Sequence, residues 1–214
     1  MLLLLARHGN TFDAGDKVVW VGARTDLLLT RQGRQQAAAL AKGLEPIKPQ
    51  LRRMVAGPLK RTRDFAEITA CELGLDTEIH IDERLREIDY GLWEGKSSEE
   101  IEALGKAAEL KAWSERGVWP HSPGWKPTAR TIADNVRELA EDLAERLPGG
   151  NAALLVTSNG ILKYFLKLVP GAFEAMAAGN KLKVATGNCC ALRNAASGWE
   201  VVFWDCKPAG LSLQ

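Results

Sequence analysis

The chain has 214 residues, 46% of them hydrophobic, and its 28 Lys and Arg nearly cancel 27 Asp and Glu, leaving a formal charge of +1. That size suits one ordinary domain with a core of its own, and the balanced charge excludes a large sequence-independent nucleic-acid surface, which needs clustered positive charge. No stretch reaches the ~20 apolar residues of a membrane span, and the leucines at 2–5 are too few, and too soon followed by Arg7, for a signal peptide.

In chain order, residues 2–6 read as a buried strand that ends at Arg7-His8-Gly9. Thr30 is placed to cap a helix carrying Ala37, Leu40, Ala41 and Leu44 on one face, with Pro46 as its stop. Residues 53–56 read as a second strand, Gly57-Pro58 opens a helix reaching Gly74, and 77–81 is a short β-rich stretch. Ser97 and Glu100 have the spacing of a capping box for a charged helix through Trp113. Residues 114–128 interleave Gly and Pro with Trp119, His121 and Trp125, which predicts a long loop able to cover a site. Trp119 and Trp125 read equally as core packing or substrate contact; the second reading would favour an apolar leaving group.

Thr128 begins the clearest helix, with Ile132, Val136, Leu139, Leu143 and Leu147 at helical spacing before Pro148-Gly149-Gly150. Residues 152–157 form another apolar strand, followed by Ser158-Asn159-Gly160 and a helix from Ile161. Residues 188–193 and 199–204 flank a turn and predict a hairpin. Cys71, Cys189, Cys190 and Cys206 lack C-x-x-C spacing, so they are expected to be reduced core thiols of a cytoplasmic protein, with Cys189 and Cys190 on opposite faces of a strand. Short apolar runs alternating with amphipathic ones indicate an α/β fold in a single domain over 1–214, with about 95–128 as an inserted lid.

Ligands of open α/β sheets gather beyond the carboxyl ends of strands. Two such ends carry unusual residues, Arg7-His8-Gly9-Asn10-Thr11 and Ser158-Asn159-Gly160. An Arg-His pair with Gly, Asn and Thr donors points to a seat for a phosphate or oxyanion. The segment Gly91-Leu92-Trp93-Glu94-Gly95-Lys96-Ser97 has three residues between its glycines where a P-loop needs four, so it is dismissed as a nucleotide site.

The chain resembles the histidine phosphatase superfamily, also called phosphoglycerate mutase-like. Residues 5–11 are similar to its R-H-G-x-T signature, and Asp26 to Gly33 with Gln36-Ala37 to its D-x-x-L-T-x-x-G-x-x-Q-A segment. Gly57-Pro58-Leu59-Lys60-Arg61 resembles its S-x-L-x-R helix start, with glycine for the serine. Leu85-Arg86-Glu87 through Trp93-Glu94-Gly95 looks like its L-x-E-x-x-x-G-x-W-E-G block, and the resemblance resumes at 152–160.

This resemblance implies a three-layer α/β/α fold with a mainly parallel central sheet, and a phosphatase acting on a small phosphorylated metabolite. His8 would be the nucleophile, Glu87 the acid and then base, and Arg7 and Arg61 the phosphoryl grips. Asn10, Ser158 and Asn159 would add neutral donors. No metal or other cofactor is implied, because the arginines supply the positive charge; neither nucleic acid nor membrane is an expected partner, and oligomeric state is left open.

The family's second histidine, in a V-x-H-G turn, is replaced: Ser158 follows Val156-Thr157. That substitution keeps open a catalytically weak or inactive phospholigand-binding protein. A mutase is the other alternative, supported by Tyr90 three residues after the acid but not by any paired-arginine and proline-run segment after Gly95. Arg24, Tyr90 and His121 are secondary candidates for substrate contact.

Overall fold

A computed structural model describes residues 1–121 and 124–211. Strand β1 (Leu2–Arg7) is buried along its leucines and leads, after a long loop, into α1 (Arg31–Leu44). Thr30 caps α1 as expected, accepting from the Gly33 amide at 3.1 Å, and Ala37, Leu40, Ala41 and Leu44 are buried. The chain continues through a 3-10 turn at Glu45–Gln50 despite Pro46, a first-turn position where proline costs no hydrogen bond. Strand β2 (Leu51–Ala56), α2 (Lys60–Glu72) and β3 (Ile79–Ile81) follow.

The predicted charged helix is divided. Its capping box forms at α3 (Ser98–Ile101), but Gly105 at φ 76 breaks the run before α4 (Ala107–Arg116). Thr128 then caps α5 (Ala129–Arg146). Strand β4 (Ala152–Thr157) is buried throughout; α6 (Asn159–Leu162), a 3-10 stretch at Lys163–Leu168, and α7 (Ala172–Ala178) follow. The hairpin of β5 (Cys189–Ala195) and β6 (Gly198–Cys206) completes the sheet.

The sheet order is β3-β2-β4-β1-β5-β6. The first four strands in that order run parallel, β5 pairs antiparallel with β1, and β6 pairs antiparallel with β5. Because β1 and β4 are neighbours in a register that pairs Arg7 with Thr157, the His8 and Ser158 turns emerge side by side.

Strand alternation divides the core into two layers. Leu3, Leu5, Leu155, Cys190 and Leu192 face Ile132, Val136 and Leu139 of α5. Leu4, Ala6, Leu154, Val156 and Cys189 face Leu40, Phe65 and Ala66 of α1 and α2. The adjacent cysteines therefore point oppositely, as expected, but the core-thiol reading is corrected for the other two: Cys71 is exposed and Cys206 half-buried.

The expected aromatic loop is organised around a buried residue. Trp125 lies 4.8 to 6.4 Å, centroid to centroid, from Trp20, Tyr90, Trp93, Trp113 and Trp119. Edge contacts of this kind add to area burial, which favours core packing for Trp119 and Trp125. Residues 122 and 123 of that loop lie outside the described residues. Among the described residues, no helix is long and apolar enough to cross a membrane.

Candidate active site

The site begins with the tautomer of a buried histidine. His8 Nδ1 lies 2.8 Å from the Gly9 carbonyl oxygen, an acceptor only, so that nitrogen carries the proton and donates. The lone pair is left on Nε2, which accepts from Arg61 Nε at 3.2 Å. Burial, then the Arg61 and Arg7 charges, push the imidazole well below its usual pKa. His8 is thus a neutral base with one free nitrogen directed at a cation.

Arg61, on the first turn of α2, is 1% exposed and also donates to the Thr25 and Gly22 carbonyls at 2.8 and 3.3 Å. Arg7 donates from Nη1 to the Val184 carbonyl at 2.6 Å, and its buried Nε has no partner. A guanidinium N–H buried without an acceptor is costly; here it belongs to a residue of the cavity wall.

Glu87 is buried and its carboxylate accepts from Ile88 N at 2.8 Å and Gly160 N at 3.2 Å. Burial raises its pKa; the backbone donors, Arg61 and Arg7 work against that rise. Position 160 must be glycine, because a Cβ would fall on the Glu87 carboxylate and 2.6 Å from the Tyr90 hydroxyl. Gly33 has a similar duty, since a Cβ there would lie 3.0 Å from Asn10 N and push α1 off the loop that carries His8.

Arg7, His8, Asn10, Arg61, Glu87, Tyr90 and Asn159 all line one cavity of about 610 Å³. Asn10 is held by its amide to Gln36, by its side chain to Gln32 at 3.0 Å, and by a bond from Thr186. Asn159 accepts from Val184 N at 2.9 Å.

Three expected residues lie elsewhere. Ser158 is not a lining residue: it is 1% exposed and its Oγ has no partner. Arg24 is exposed and paired with Asp89 and Glu94 at 3.0 and 3.2 Å. His121 is exposed and does not line the cavity, and His80 is exposed on β3. Among the described residues, His8 is the one histidine in the cavity.

The roof differs from the expected lid. The 95–128 region contributes Ser98, Trp113 and Ser114, while residues 11–21, including Phe12, Val18 and Trp20, supply much of the wall. Lys163 also lines the cavity, and sequence reasoning missed it. Its signal was a single charge inside the apolar run Ile161-Leu162-Lys163-Tyr164-Phe165-Leu166.

A family model described as histidine phosphatase superfamily (branch 1) matches residues 3–207. The chain belongs to the histidine phosphatase superfamily. Among this histidine phosphatase's relatives, a glucosyl-3-phosphoglycerate phosphatase of Mycolicibacterium vanbaalenii is 30% identical over 75% of this chain and 70% of that one. Its counterpart in Mycobacterium tuberculosis is 36% identical over 56% of this chain, an alignment spanning about half (51%) of that relative. A probable phosphoglycerate mutase of Salmonella arizonae is 27% identical over 96% of this chain and 91% of its own length. A solved mycobacterial glucosyl-3-phosphoglycerate phosphatase complexed with VO3 superposes with a TM-score of 0.77 at 25% identity, covering 96% of this chain and 98% of that one. The mostly parallel sheet is the α/β fold of these phosphoglycerate mutase-like structures.

Proposed function

We propose that this histidine phosphatase hydrolyses a small phosphomonoester through a phosphohistidine on His8. The observation that carries the proposal is the neutral His8, with Nδ1–H held by Gly9 and the Nε2 lone pair facing a guanidinium. In the first step Nε2 attacks phosphorus, the ester P–O bond breaks, and the protonated Glu87 gives its proton to the departing alcohol. In the second, the Glu87 carboxylate takes a proton from water, the oxygen attacks phosphorus, the N–P bond breaks, and phosphate leaves. Arg7 and Arg61 neutralise charge on the transferring group throughout.

Two relatives named as phosphatases support hydrolysis over the mutase alternative. The absence of a second histidine beside His8 favours one further reading, a phospholigand-binding protein that turns over slowly. Loss of one strong donor at such a site costs on the order of 10²–10³ in rate. Trapping labelled phosphate on the protein, with His8→Ala as control, separates the two. Acid-labile label dependent on His8, together with release of p-nitrophenol from its phosphate, is the expected result. No label and no release from mildly acidic to mildly alkaline pH would leave only the binding protein.

A further inference from the structure

We propose that the Lys163 amine is a covalent site of this cavity, forming an imine with a phosphorylated aldehyde whose phosphate rests on Arg7 and Arg61. The inference takes its phosphoryl seat from the phosphatase reading but does not require turnover, and the adduct closes the cavity to other ligands.

Lys163 is 2% exposed and lines the same cavity as Arg7, His8 and Arg61. Its Nζ lies 3.4 Å from the centroid of the Trp113 ring. That ring is buried and held by edge contacts with Trp119 and Trp125 at 5.7 and 4.8 Å, so the amine has a set position. Among the described residues Lys163 makes no hydrogen bond and no ion pair. An aromatic face attracts an ammonium but cannot accept three hydrogen bonds. Two other lysines show what is unusual here. Lys167 lies 4.4 Å from the Phe173 ring but is exposed and outside the cavity. Lys183 lines the cavity but is exposed, so water solvates its ammonium. Of the three, only Lys163 is both buried and in the cavity.

Backbone contacts tie this amine to the phosphoryl seat. Asn159, the first residue of α6, and Lys163 both line the cavity. They are four positions apart, a spacing that puts Cβ atoms about 5–6 Å apart on a helix. Asn159 Oδ1 accepts from Val184 N at 2.9 Å, and the Val184 carbonyl accepts from Arg7 Nη1 at 2.6 Å. Lys163 thus stands one helical turn from a side chain that a single residue joins to the Arg7 grip. A cavity of about 610 Å³ has the size of small-molecule sites and leaves room for more than a phosphoryl group.

Imine formation needs an amine with a free lone pair. Burial, opposed by Glu87, lowers the Lys163 ammonium to about 7. About half of these amines are therefore free at neutral pH, against fewer than about one in a thousand for an ordinary lysine. Desolvation is a general means of making lysine a nucleophile. The Nζ lone pair attacks the aldehyde carbon, a C–N bond forms, and the C=O pair moves to oxygen. The C–O bond of that carbinolamine then breaks as C=N forms, and the oxygen leaves as water with both amine hydrogens. The neutral imine carries no charge, so the burial that penalises the ammonium favours the product.

The probe is pyridoxal phosphate, equimolar with the protein at neutral pH, followed by borohydride reduction and peptide mass mapping. The expected product is a single pyridoxyl group on Lys163, with or without its phosphate. It should form about 100-fold faster than on exposed lysines, Lys167 and Lys183 included. Pyridoxal, which lacks the phosphate, should react at least about tenfold more slowly, the scale of one charge-assisted hydrogen bond, and inorganic phosphate should compete. In Lys163→Met the adduct is lost. Labelling spread over exposed lysines, with Lys163 no faster than they are, overturns the proposal. Equal labelling by pyridoxal does so too, because it would remove Arg7 and Arg61 from the site. Absence of phosphatase turnover sinks the phosphatase reading, while the mapped adduct still judges Lys163. Should Lys163→Met fail to fold, Lys163→Gln gives the same comparison.

Discussion

Substituting Glu87 by Gln tests the acid directly, because the structure says what else the change disturbs. The carboxylate accepts from Ile88 N and Gly160 N, one at each oxygen. An amide keeps one acceptor and turns an NH₂ group toward the other donor, costing about 1–3 kcal/mol of stability. Relief of the buried charge offsets part of this, so the variant is expected to fold, with a modest fall in Tm that a thermal melt will show. The catalytic loss is larger and depends on the leaving group. Removing a positioned general acid costs about 10²–10⁴ in rate, or about 2.7–5.5 kcal/mol at the transition state. An alkyl phosphate, whose alcohol must be protonated as it leaves, should lose that amount in kcat/KM. p-Nitrophenyl phosphate, whose leaving group departs as an anion, should lose far less.

The same carboxyl sets the sign of the pH dependence. Burial raises the Glu87 pKa, and the acid works only while protonated. Alkyl-phosphate kcat/KM is therefore full below the raised pKa and falls as pH rises through it, a limb that Glu87→Gln should abolish. Because kcat/KM reports phosphoryl transfer to His8 and excludes later hydrolysis of the phosphoenzyme, a slow second step cannot imitate the effect. Equal losses on the two substrates, or an unchanged alkaline limb, would refute the assignment.

Arg61→Lys keeps a charge but loses the fork that reaches His8, Thr25 and Gly22 together; kcat/KM should drop about 10- to 100-fold, and retention of half the activity would count against Arg61 as a grip. Ser158→Ala removes a buried hydroxyl with no partner, so Tm should hold or rise by about 2–4 °C per kcal/mol recovered, whereas a clear fall would reveal a bond to that hydroxyl. Lys163→Met should stabilise the protein in a pH-dependent way. The folded pKa of about 7 lies below the ordinary 10.5, so the unfolded chain binds the extra proton between those values, and wild-type stability rises with pH across that window. The burial cost below the window is on the order of 4 to 5 kcal/mol, and the Trp113 face returns up to about 2 kcal/mol. The gain in urea melts should thus be largest near neutrality and fade toward 10.5; a pH-independent gain would contradict it.

Much of the fold was readable because its signals are local. Thr30 and Thr128 are side-chain caps at the positions expected, and the continuous apolar runs at Leu2–Arg7 and Ala152–Thr157 mark strands buried on both faces. The phosphoryl half of the site was readable for a related reason. Arg7 and His8 stand at a strand end, Arg61 and Glu87 are carried by the motif blocks of the family resemblance, and all four line one cavity. What periodicity could not show was the break at Gly105, where a single left-handed residue divides a helix without disturbing the charge pattern. Arg24 and His121 failed as cavity residues because their pairing and exposure are decided by distant segments: Asp89 and Glu94 claim the first, and solvent the second.

The rest of the cavity is a different problem, and Lys163 shows why. A phosphoryl group presents the same oxygens in every substrate, so its seat draws on a narrow choice of residue types. The rest of a substrate varies, and its wall is assembled from segments far apart in the chain: residues 11–21, α4, and the 3-10 stretch after α6. No fixed spacing links these, so no motif announces them. What remains readable is local inconsistency, a residue that the surrounding pattern does not want. Lys163 interrupts an apolar run that otherwise serves the core, and helix periodicity alone would place it inside. A charge kept where burial penalises it, with the Trp113 face as its neighbour, marks the wall of the cavity. The Arg7 Nε, buried without a partner on a residue that lines the cavity with His8, is a second inconsistency of this kind.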